Sequence, residues 1–324
     1  FDELVNDYRR LNEYRGSEDS PEDAARIPIL ERSDLSSDPD YQPSRAVPFD
    51  GGELLWQNRP TNSIAYVDWR YDIRRLAPDL LPYYRIFTEL FGAVDTRKRG
   101  YAELSDLIDS VTGGIEHRLE ITRKLSGGEV IPEMCWMTRF LYHNAEKAFD
   151  INREILLETD FSDTGHIRDM LLQLKSGFER VLLESSNHVA KNYGLRAFSE
   201  VFAWSDILEG YSFYRFLCDI MADFESKKDE LISAMERIRR SLLDPDGWQF
   251  FYVGEECFLP QAKEMTAQFA ALLDGRPESG EERFRVSLSE KSSTGLYCPS
   301  QVQYAALCGL LPEEASEKTG CLLV

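Results

Sequence analysis

The amino-acid sequence predicts an α+β fold: an antiparallel or mixed sheet covered by helices on one face, with a large helical insertion. Strand-like runs occur in adjacent pairs and helical patterns are kept apart from them, which is typical of this class. Between residues 165 and 243, three apolar patterns of helix length follow one another with no strand signal between them. Strand-like segments flank this block on both sides, so we interpret it as an insertion in an α/β domain.

Residues 1–48 predict the end of a helical linker and an extended connector. Apolar residues share one helix face over the first fifteen residues. Ser20 followed by Pro21 offers the N-cap and the first position of a short helix through Arg26. Four prolines then occur among serine and aspartate residues and indicate a linker: Pro28, Pro39, Pro43 and Pro48.

Residues 49–160 predict the first part of the α/β domain. A strand at 53–58 and a strand with alternating apolar and polar residues at 65–73 are expected to pair as a hairpin. Gly113 and Gly114 end a helix and let the chain turn directly into the next strand. The remaining predictions are helices at 78–91, 101–111 and 144–158 and strands at 115–121 and 130–142.

Residues 161–245 predict the helical insertion. Its first helix spans 167–182, with Asp163 or Thr164 as the cap. The second runs from 196 to 221 and contains Gly210, which predicts a kink or a close helix contact. The third covers 224–242 and ends before Pro245 and Gly247.

Residues 246–324 predict the remainder of the domain, truncated at its C-terminus. We expect a strand at 248–253, a helix at 259–273 and a strand at 296–307. The last four residues have the outline of a prenylation motif, but the segment before them is acidic where a membrane anchor needs basic residues. We interpret residues 321–324 as the start of a further strand.

Composition and charge argue against several classes of function. The formal net charge of −20 disfavours nucleic acid as a partner, because phosphate contacts need a basic surface. Basic peptides would suit this charge, although many soluble proteins are this acidic for solubility alone. The sequence has no run of about 18 apolar residues, and its first residues do not support a signal peptide, so no membrane contact is expected. Six scattered cysteines predict a reducing compartment, and we expect the cytoplasm, with an organelle matrix as the alternative.

No catalytic, cofactor-binding or metal-ligating residue is predicted in this chain. His143 and Glu146 match part of a His-x-x-Glu-His zinc helix, but Lys147 stands where the second imidazole must be. His117 is expected in the core or at a sheet edge, and the two other histidines lie at helix ends. The sequence contains no phosphate-loop, dinucleotide-binding or nucleophile-elbow motif.

Several short motifs nevertheless occur in a familiar order. They are Ile-Pro-Ile-Leu at 27–30, Ser-Val-Thr-Gly-Gly-Ile at 110–115, Ser-Asn-His at 186–188, Glu-Gly-Tyr-Ser-Phe at 209–213 and Pro-Ser-Gln-Val-Gln-Tyr at 299–304. The chain resembles the presequence-protease branch of the pitrilysin and insulinase zinc peptidases. The resemblance lies in these motifs and in their order, and it covers nearly the whole chain. The matching region is the end of the linker and the third of four related domains, with its helical insertion.

The resemblance implies a parent enzyme whose two halves close around a peptide chamber. Zinc and the residues that assist catalysis would lie in other domains of that parent, so no cofactor is expected in this segment, and whether the segment alone is an enzyme stays open. The implied role is a non-catalytic chamber-wall segment of a zinc metalloendopeptidase that degrades unfolded peptides. Its partners would be the catalytic half of the parent chain and peptide substrates.

Two other interpretations are open. The first is a scaffold or interaction protein with a peptidase-like fold that has lost the zinc site. The second is a free-standing helical binding module, which the strand-like residues 321–324 disfavour.

Overall fold

The computed structural model describes residues 2–17, 20–35, 43–124, 128–276, 283–290, 293–296 and 302–310. The chain divides into two compact units, Phe1–Pro43 and Ser44–Val324. The first unit contains helices α1 (Asp2–Gly16) and α2 (Pro21–Ala24). The hydroxyl of Ser20 accepts a hydrogen bond from the backbone N–H of Asp23 at 3.1 Å, which confirms the predicted cap of α2.

The second unit is built on a six-stranded sheet. Its strands are β1 (Arg45–Phe49), β2 (Gly52–Asn58), β3 (Ile64–Asp72), β4 (Ile115–Arg123), β5 (Val130–Leu141) and β6 (Trp248–Gly254). They lie in the order β1-β2-β6-β3-β5-β4. The pair β2 and β6 is parallel and the other neighbouring pairs are antiparallel. The sheet is therefore mixed, which confirms the predicted fold class.

Two predictions about this sheet are wrong. Strands β2 and β3 do not form a hairpin, because β6 lies between them and pairs with both. Residues 45–49, most of which the sequence places in the connector, form strand β1 and pair with β2 from Arg45 opposite Trp56 to Phe49 opposite Gly52. Pro48 is compatible with this position, because an edge strand tolerates a residue that has no backbone N–H.

The second unit has nine described helices. They are α3 (Tyr84–Leu90), α4 (Tyr101–Val111), α5 (Ala145–Glu158), α6 (Thr164–Glu184), α7 (Ser186–Leu195), α8 (Glu200–Glu209), α9 (Tyr211–Ala222), α10 (Phe224–Ser241) and α11 (Leu259–Ala270). The block predicted as three helices thus contains five described ones, since α7 is additional and the second pattern divides at Gly210. A 3-10 turn at Pro78–Tyr83 replaces the first half of the helix predicted at 78–91.

The strand predicted at 296–307 is wrong where the structure describes it. Residue 296 and residues 302–307 have no strand structure, and residues 297–301 lie outside the described residues. The strand predicted at 321–324 also lies outside them. The described segment 283–290 precedes the predicted strand and contains Phe284. The backbone N–H of Phe284 donates to the Arg74 carbonyl, and its ring packs against Trp204 of α8.

One face of the sheet carries an aromatic core. The Trp69 ring of β3 lies 5.5 Å from the Phe149 ring of α5 and 4.1 Å from the Phe269 ring of α11, measured between ring centroids. Trp136 of β5 and Phe250 of β6 pack against the same tryptophan. All five side chains are buried. Because large aromatic side chains dominate the energy of burial, this cluster holds α5 and α11 on the sheet.

A tight turn at Gly210 separates α8 from α9. A Cβ atom at this position would lie 2.6 Å from the Cα atom of Asp206, closer than real contacts allow. The buried Asp206 carboxylate accepts hydrogen bonds from the Ser212 N–H and hydroxyl, at 3.1 and 2.6 Å, and from Arg196 at 3.1 Å. A side chain near the end of α8 therefore caps the start of α9. Of the two features predicted from Gly210, the kink is confirmed, since the helical pattern breaks there into α8 and α9.

Buried polar contacts fix the end of α10 to the sheet. Arg75, which follows β3, forms an ion pair with Asp244, and their side chains are 9% and 2% exposed. The Tyr71 hydroxyl and the Trp248 indole N–H each donate, at 2.8 Å, to a backbone carbonyl at the end of α10 or just after it. These contacts hold the end of the helical block against β3 and β6.

Candidate functional site

The face of the sheet opposite the aromatic core is open. Side chains alternate between the two faces of a strand, so the residues of β3 between the core positions point away from α5 and α11. These residues of β3 are half-buried or exposed: Tyr66, Asp68, Arg70 and Asp72. The register places Asp68 between Phe251 of β6 and Met137 of β5. The open face therefore combines charged and apolar side chains in adjacent positions.

A pocket of about 240 Å³ lies on this open face. Its lining comes from the strands and from residues next to them: Ser44, Leu55, Gln57, Tyr66, Val67, Asp68, Arg70, Gly114, Glu116, Met137, Thr138, Arg139, Phe251 and Val253. Apolar walls with a few convergent polar groups are the usual composition of a ligand site. We therefore take this pocket as the candidate functional site.

The guanidinium of Arg70 faces three carboxylates at one side of the pocket. Its Nε and Nη2 atoms each lie 2.8 Å from Oδ2 of Asp68, and Nη1 lies 3.2 Å from Glu120 and 3.7 Å from Glu133. The guanidinium carbon is also 4.9 Å from the centre of the Phe251 ring, a cation–π distance. Arg70 is thus held between the carboxylates and the apolar wall of the pocket.

The carboxylates of this cluster are imperfectly satisfied. Burial raises the pKa of Asp68 and the pKa of Glu133, because desolvation penalises the charged form more than the nearby Arg70 stabilises it. The Oδ1 atom of Asp68 is buried and has no hydrogen-bond partner among the described residues. A buried acceptor without a donor is costly, so a donor entering the pocket would be stabilised there.

Cys135 lies beside this cluster but lacks the properties of a nucleophile. Its thiol donates to Oε2 of Glu120 at 3.4 Å. Burial, reinforced by the nearby Asp68, raises the pKa of the Cys135 thiol to about 12. Because the thiolate is the reactive form, a thiol that stays protonated at neutral pH has a structural role here.

A second ion-pair network borders the open face. Arg74 binds Asp72 through two hydrogen bonds of 2.8 Å and Glu129 through one of 2.6 Å, and Lys124 lies 2.9 Å from Glu129. The hydrogen bonds from Arg74 and Lys124 lower the pKa of Glu129 to about 2. This network joins the hairpin of β4 and β5 to the end of β3, and it holds the edge of the open face in place.

The described residues offer no site for zinc. Among them, no group of three or more His, Cys, Asp and Glu side chains is arranged to hold a metal ion. The carboxylates Asp68, Glu120 and Glu133 of the open face are paired with the guanidinium of Arg70. His143 lies in the turn before α5, and Lys147 lies in the first turn of that helix. No zinc-dependent step is assigned to this chain.

His117 lies on β4, at the edge of the sheet, which is one of the two positions predicted for it, and its half-buried ring packs against the aromatic core. Its ring centroid is 5.0 Å from that of Phe91 and 5.2 Å from that of Trp136. Burial lowers the pKa of His117 to about 3, so the ring is neutral at physiological pH. Its Nε2 atom is buried without a partner among the described residues.

The sequence alone assigns no functional residue to the open face. Alternating polar residues at 66–72 and charged residues at 116–120 are visible in it and indicate solvated faces of two strands. That these two rows form one surface depends on β5, which lies between β3 and β4. Local periodicity carries no information about that neighbour relationship.

Comparison with known proteins agrees with the fold. Residues 1–220 match the model of a family described as associated with the peptidases of family M16, group C. The chain belongs to this family. Protein HypA of Clostridium perfringens is 24% identical over 323 residues, which cover 99% of this chain and 33% of that protein. Presequence protease 1, chloroplastic/mitochondrial, of Arabidopsis thaliana is 24% identical over 324 residues, which cover 99% of this chain and 30% of that protein.

The resemblance to the presequence-protease branch is thereby confirmed, and the chain spans about a third of the length of these relatives. Among solved structures, the inactive domain of a peptidase M16 from Pseudomonas fluorescens is similar, with a TM-score of 0.54 and 10% identity over 76% of this chain and 54% of that one. A conserved protein from Enterococcus faecalis has a TM-score of 0.50 and 15% identity over 72% of this chain and 53% of that one. These two likenesses concern the fold.

In the part of the chain that the structure describes, no helix has the length and apolar character needed to cross a membrane.

Proposed function

We propose that this chain is a non-catalytic chamber-wall segment of a zinc metalloendopeptidase that degrades unfolded peptides. The observation that carries the proposal is the alignment of 99% of the chain with 30% of a presequence protease. A segment of that share would be one domain of a larger peptidase, with the zinc and the catalytic residues in the remainder. The rest of the parent chain is then its main partner.

The open sheet face supports a role in the wall of a chamber. It presents a pocket and charged side chains. It offers neither a reactive thiol nor, among the described residues, a group of metal ligands. A surface of this kind can contact a peptide without cleaving it. The similarity in fold to an inactive domain of a peptidase M16 agrees with such a division of labour.

Helix α1 supports the parent chain as a partner. Its apolar residues are exposed: Leu4 is 73% exposed, Tyr8 66% and Leu11 44%. An apolar stripe of this kind on an amphipathic helix is usually covered by another element. We propose that another part of the parent covers it.

The compartment is part of the same proposal. The names of several relatives place those proteins in mitochondria or chloroplasts, which favours an organelle matrix over the cytoplasm for this chain. The four cysteines in the described residues are free, which suits either reducing compartment.

The test is peptide hydrolysis by the full-length protein. It should cleave an unfolded peptide and should leave the same sequence intact when that sequence is part of a stably folded protein, because a closed chamber excludes folded substrates by size. A chelator such as 1,10-phenanthroline should abolish the cleavage. If the full-length protein cleaves no unfolded peptide, the proposal fails and the scaffold alternative is favoured.

A further inference from the structure

We propose that the pocket on the open sheet face binds one basic side chain of an unfolded peptide and the apolar side chain two positions later. In an extended peptide these two side chains lie on the same side. The inference rests on the proposed function, because it names the chemistry of the substrate that this wall would contact. In this proposal Asp68 accepts hydrogen bonds from the basic group, and the apolar walls of the pocket contact the apolar side chain of the peptide.

The apolar part of the site is formed by three strands. Leu55 of β2, Phe251 and Val253 of β6, and Met137 of β5 line the pocket. Leu55 is opposite Phe251 in the parallel pair, and Phe251 is opposite Asp68 in the antiparallel pair. An apolar side chain in this pocket therefore lies directly beside the carboxylate.

The charges around the pocket favour a cation. Four carboxylates and three guanidinium groups lie on this part of the face: Asp68, Glu116, Glu120 and Glu133, with Arg70, Arg118 and Arg139. Arg139 lies 3.3 Å from Glu116, and Arg118 lies 3.9 Å from Glu120. Arg70 is thus shared among Asp68, Glu120 and Glu133, so the carboxylates around this guanidinium outnumber it.

Asp68 is the carboxylate best placed to receive a new donor. Both of its hydrogen bonds to Arg70 use Oδ2. Its Oδ1 atom is buried and without a partner in the described parts of the chain, and Asp68 lines the pocket. A lysine or arginine head group supplies N–H donors and a positive charge, and its aliphatic stem can lie along Phe251 and Met137.

An unfolded peptide is the occupant that fits these features. An acidic ligand or a nucleic acid would be repelled by the Asp68 carboxylate in the pocket and by the net charge of −20 on the chain. An extended peptide places successive side chains on alternate sides. A lysine at one position and a leucine two positions later therefore point to the same surface and can reach the carboxylate and the apolar wall together.

Binding to the 324-residue chain tests the site directly. The probe is a short fluorescent peptide that contains Lys-Ala-Leu, and the comparison peptide has glutamine in place of lysine. Asp68→Asn preserves the size of the side chain and removes its charge. Asp150→Asn is the matched control, because Asp150 lies on α5, is 71% exposed and pairs with Arg153. Thermal unfolding of each variant shows that the fold is retained.

Fluorescence anisotropy should give a Kd for the lysine peptide about tenfold higher in Asp68→Asn than in the wild type. The control variant should bind like the wild type, and the glutamine peptide should bind weakly to all three proteins. A second variant, Leu55→Lys, should weaken binding as well, because it places a cation in the pocket. Equal affinities of the wild type and Asp68→Asn for the lysine peptide would overturn the inference.

Cleavage by the full-length protein separates this inference from the proposed function. Asp68→Asn should reduce kcat/KM for the lysine peptide and leave that for the glutamine peptide unchanged. If the variant cleaves the lysine peptide with the same kcat/KM as the wild type, the pocket does not serve the substrate and the inference fails, while the proposed function stands. If neither peptide is cleaved by the wild type, the proposed function fails, and the inference about substrate fails with it.

Discussion

The buried ion pair between Arg75 and Asp244 gives a sharp test of how the helical block is held against the sheet. Asp244 follows α10, and Arg75 follows β3, so the pair joins elements far apart in sequence. Both side chains are nearly buried, and Oδ1 of Asp244 also accepts a hydrogen bond from the Asp246 N–H at 3.3 Å. The perturbation is Asp244→Ala.

The expected loss of stability follows from these contacts. Removing one partner of a buried ion pair costs about 3–5 kcal/mol, because the other charge loses its partner while it stays out of water. Asp246 lies 3.9 Å from Arg75 but is 83% exposed, so it offsets a small part of this cost. We expect Asp244→Ala to lower the free energy of unfolding by about 3–4 kcal/mol, a large part of the stability of an ordinary domain.

Urea unfolding of the 324-residue chain at pH 7, followed by tryptophan fluorescence, measures this loss. Trp248 donates to a backbone carbonyl at the end of α10, so its emission reports on the same junction. Asp246→Ala is the control and should change stability by less than about 0.5 kcal/mol, as exposed charges do. A loss below about 1 kcal/mol in Asp244→Ala would refute the reasoning, because the pair would then not be buried and coupled as described.

Two further predictions concern His117 and Gly210. The pKa of His117 is lowered to about 3 in the fold, against about 6.5 in the unfolded chain. Between pH 7 and pH 5, therefore, only the unfolded state takes up this proton. The free energy of unfolding of the wild type should fall by up to about 2 kcal/mol over this range. His117→Phe should remove most of that loss in urea unfolding at the two pH values; an unchanged pH dependence would contradict the burial of this ring. Gly210→Ala should destabilise the chain by about 1–3 kcal/mol, because the new methyl group meets the backbone at Asp206. Gly177→Ala in α6 has open space and should stabilise the chain or leave it unchanged, so equal thermal unfolding of these two variants would argue against a close contact at Gly210.

The elements of the fold are largely predictable from local patterns, and their neighbours in the sheet are not. The alternation at 65–73 predicts β3, and Gly210 predicts the break between α8 and α9. The wrong hairpin of β2 and β3 has a physical cause. Periodicity identifies strands, but β6 enters between these two from a distant part of the chain, and no short-range signal announces it.

The candidate site was less predictable than the fold. A polar row on a strand indicates a solvated face, and most such faces bind nothing. The open face becomes a candidate only when Arg70 is seen between three carboxylates and next to Phe251, and these contacts come from four different strands. The absence of a His-x-x-Glu-His motif from the sequence, in contrast, needs no structure to establish, because its two histidines must occur at a fixed spacing on one helix.

Zinc content is the measurement that tests the central claim most directly. The full-length protein and the 324-residue chain would be purified side by side, and their metal content determined by mass spectrometry per mole of chain. We predict one zinc ion in the full-length protein and none in the 324-residue chain. Stoichiometric zinc in the shorter chain would contradict a non-catalytic segment, and absence of zinc from both would contradict a zinc peptidase as its parent.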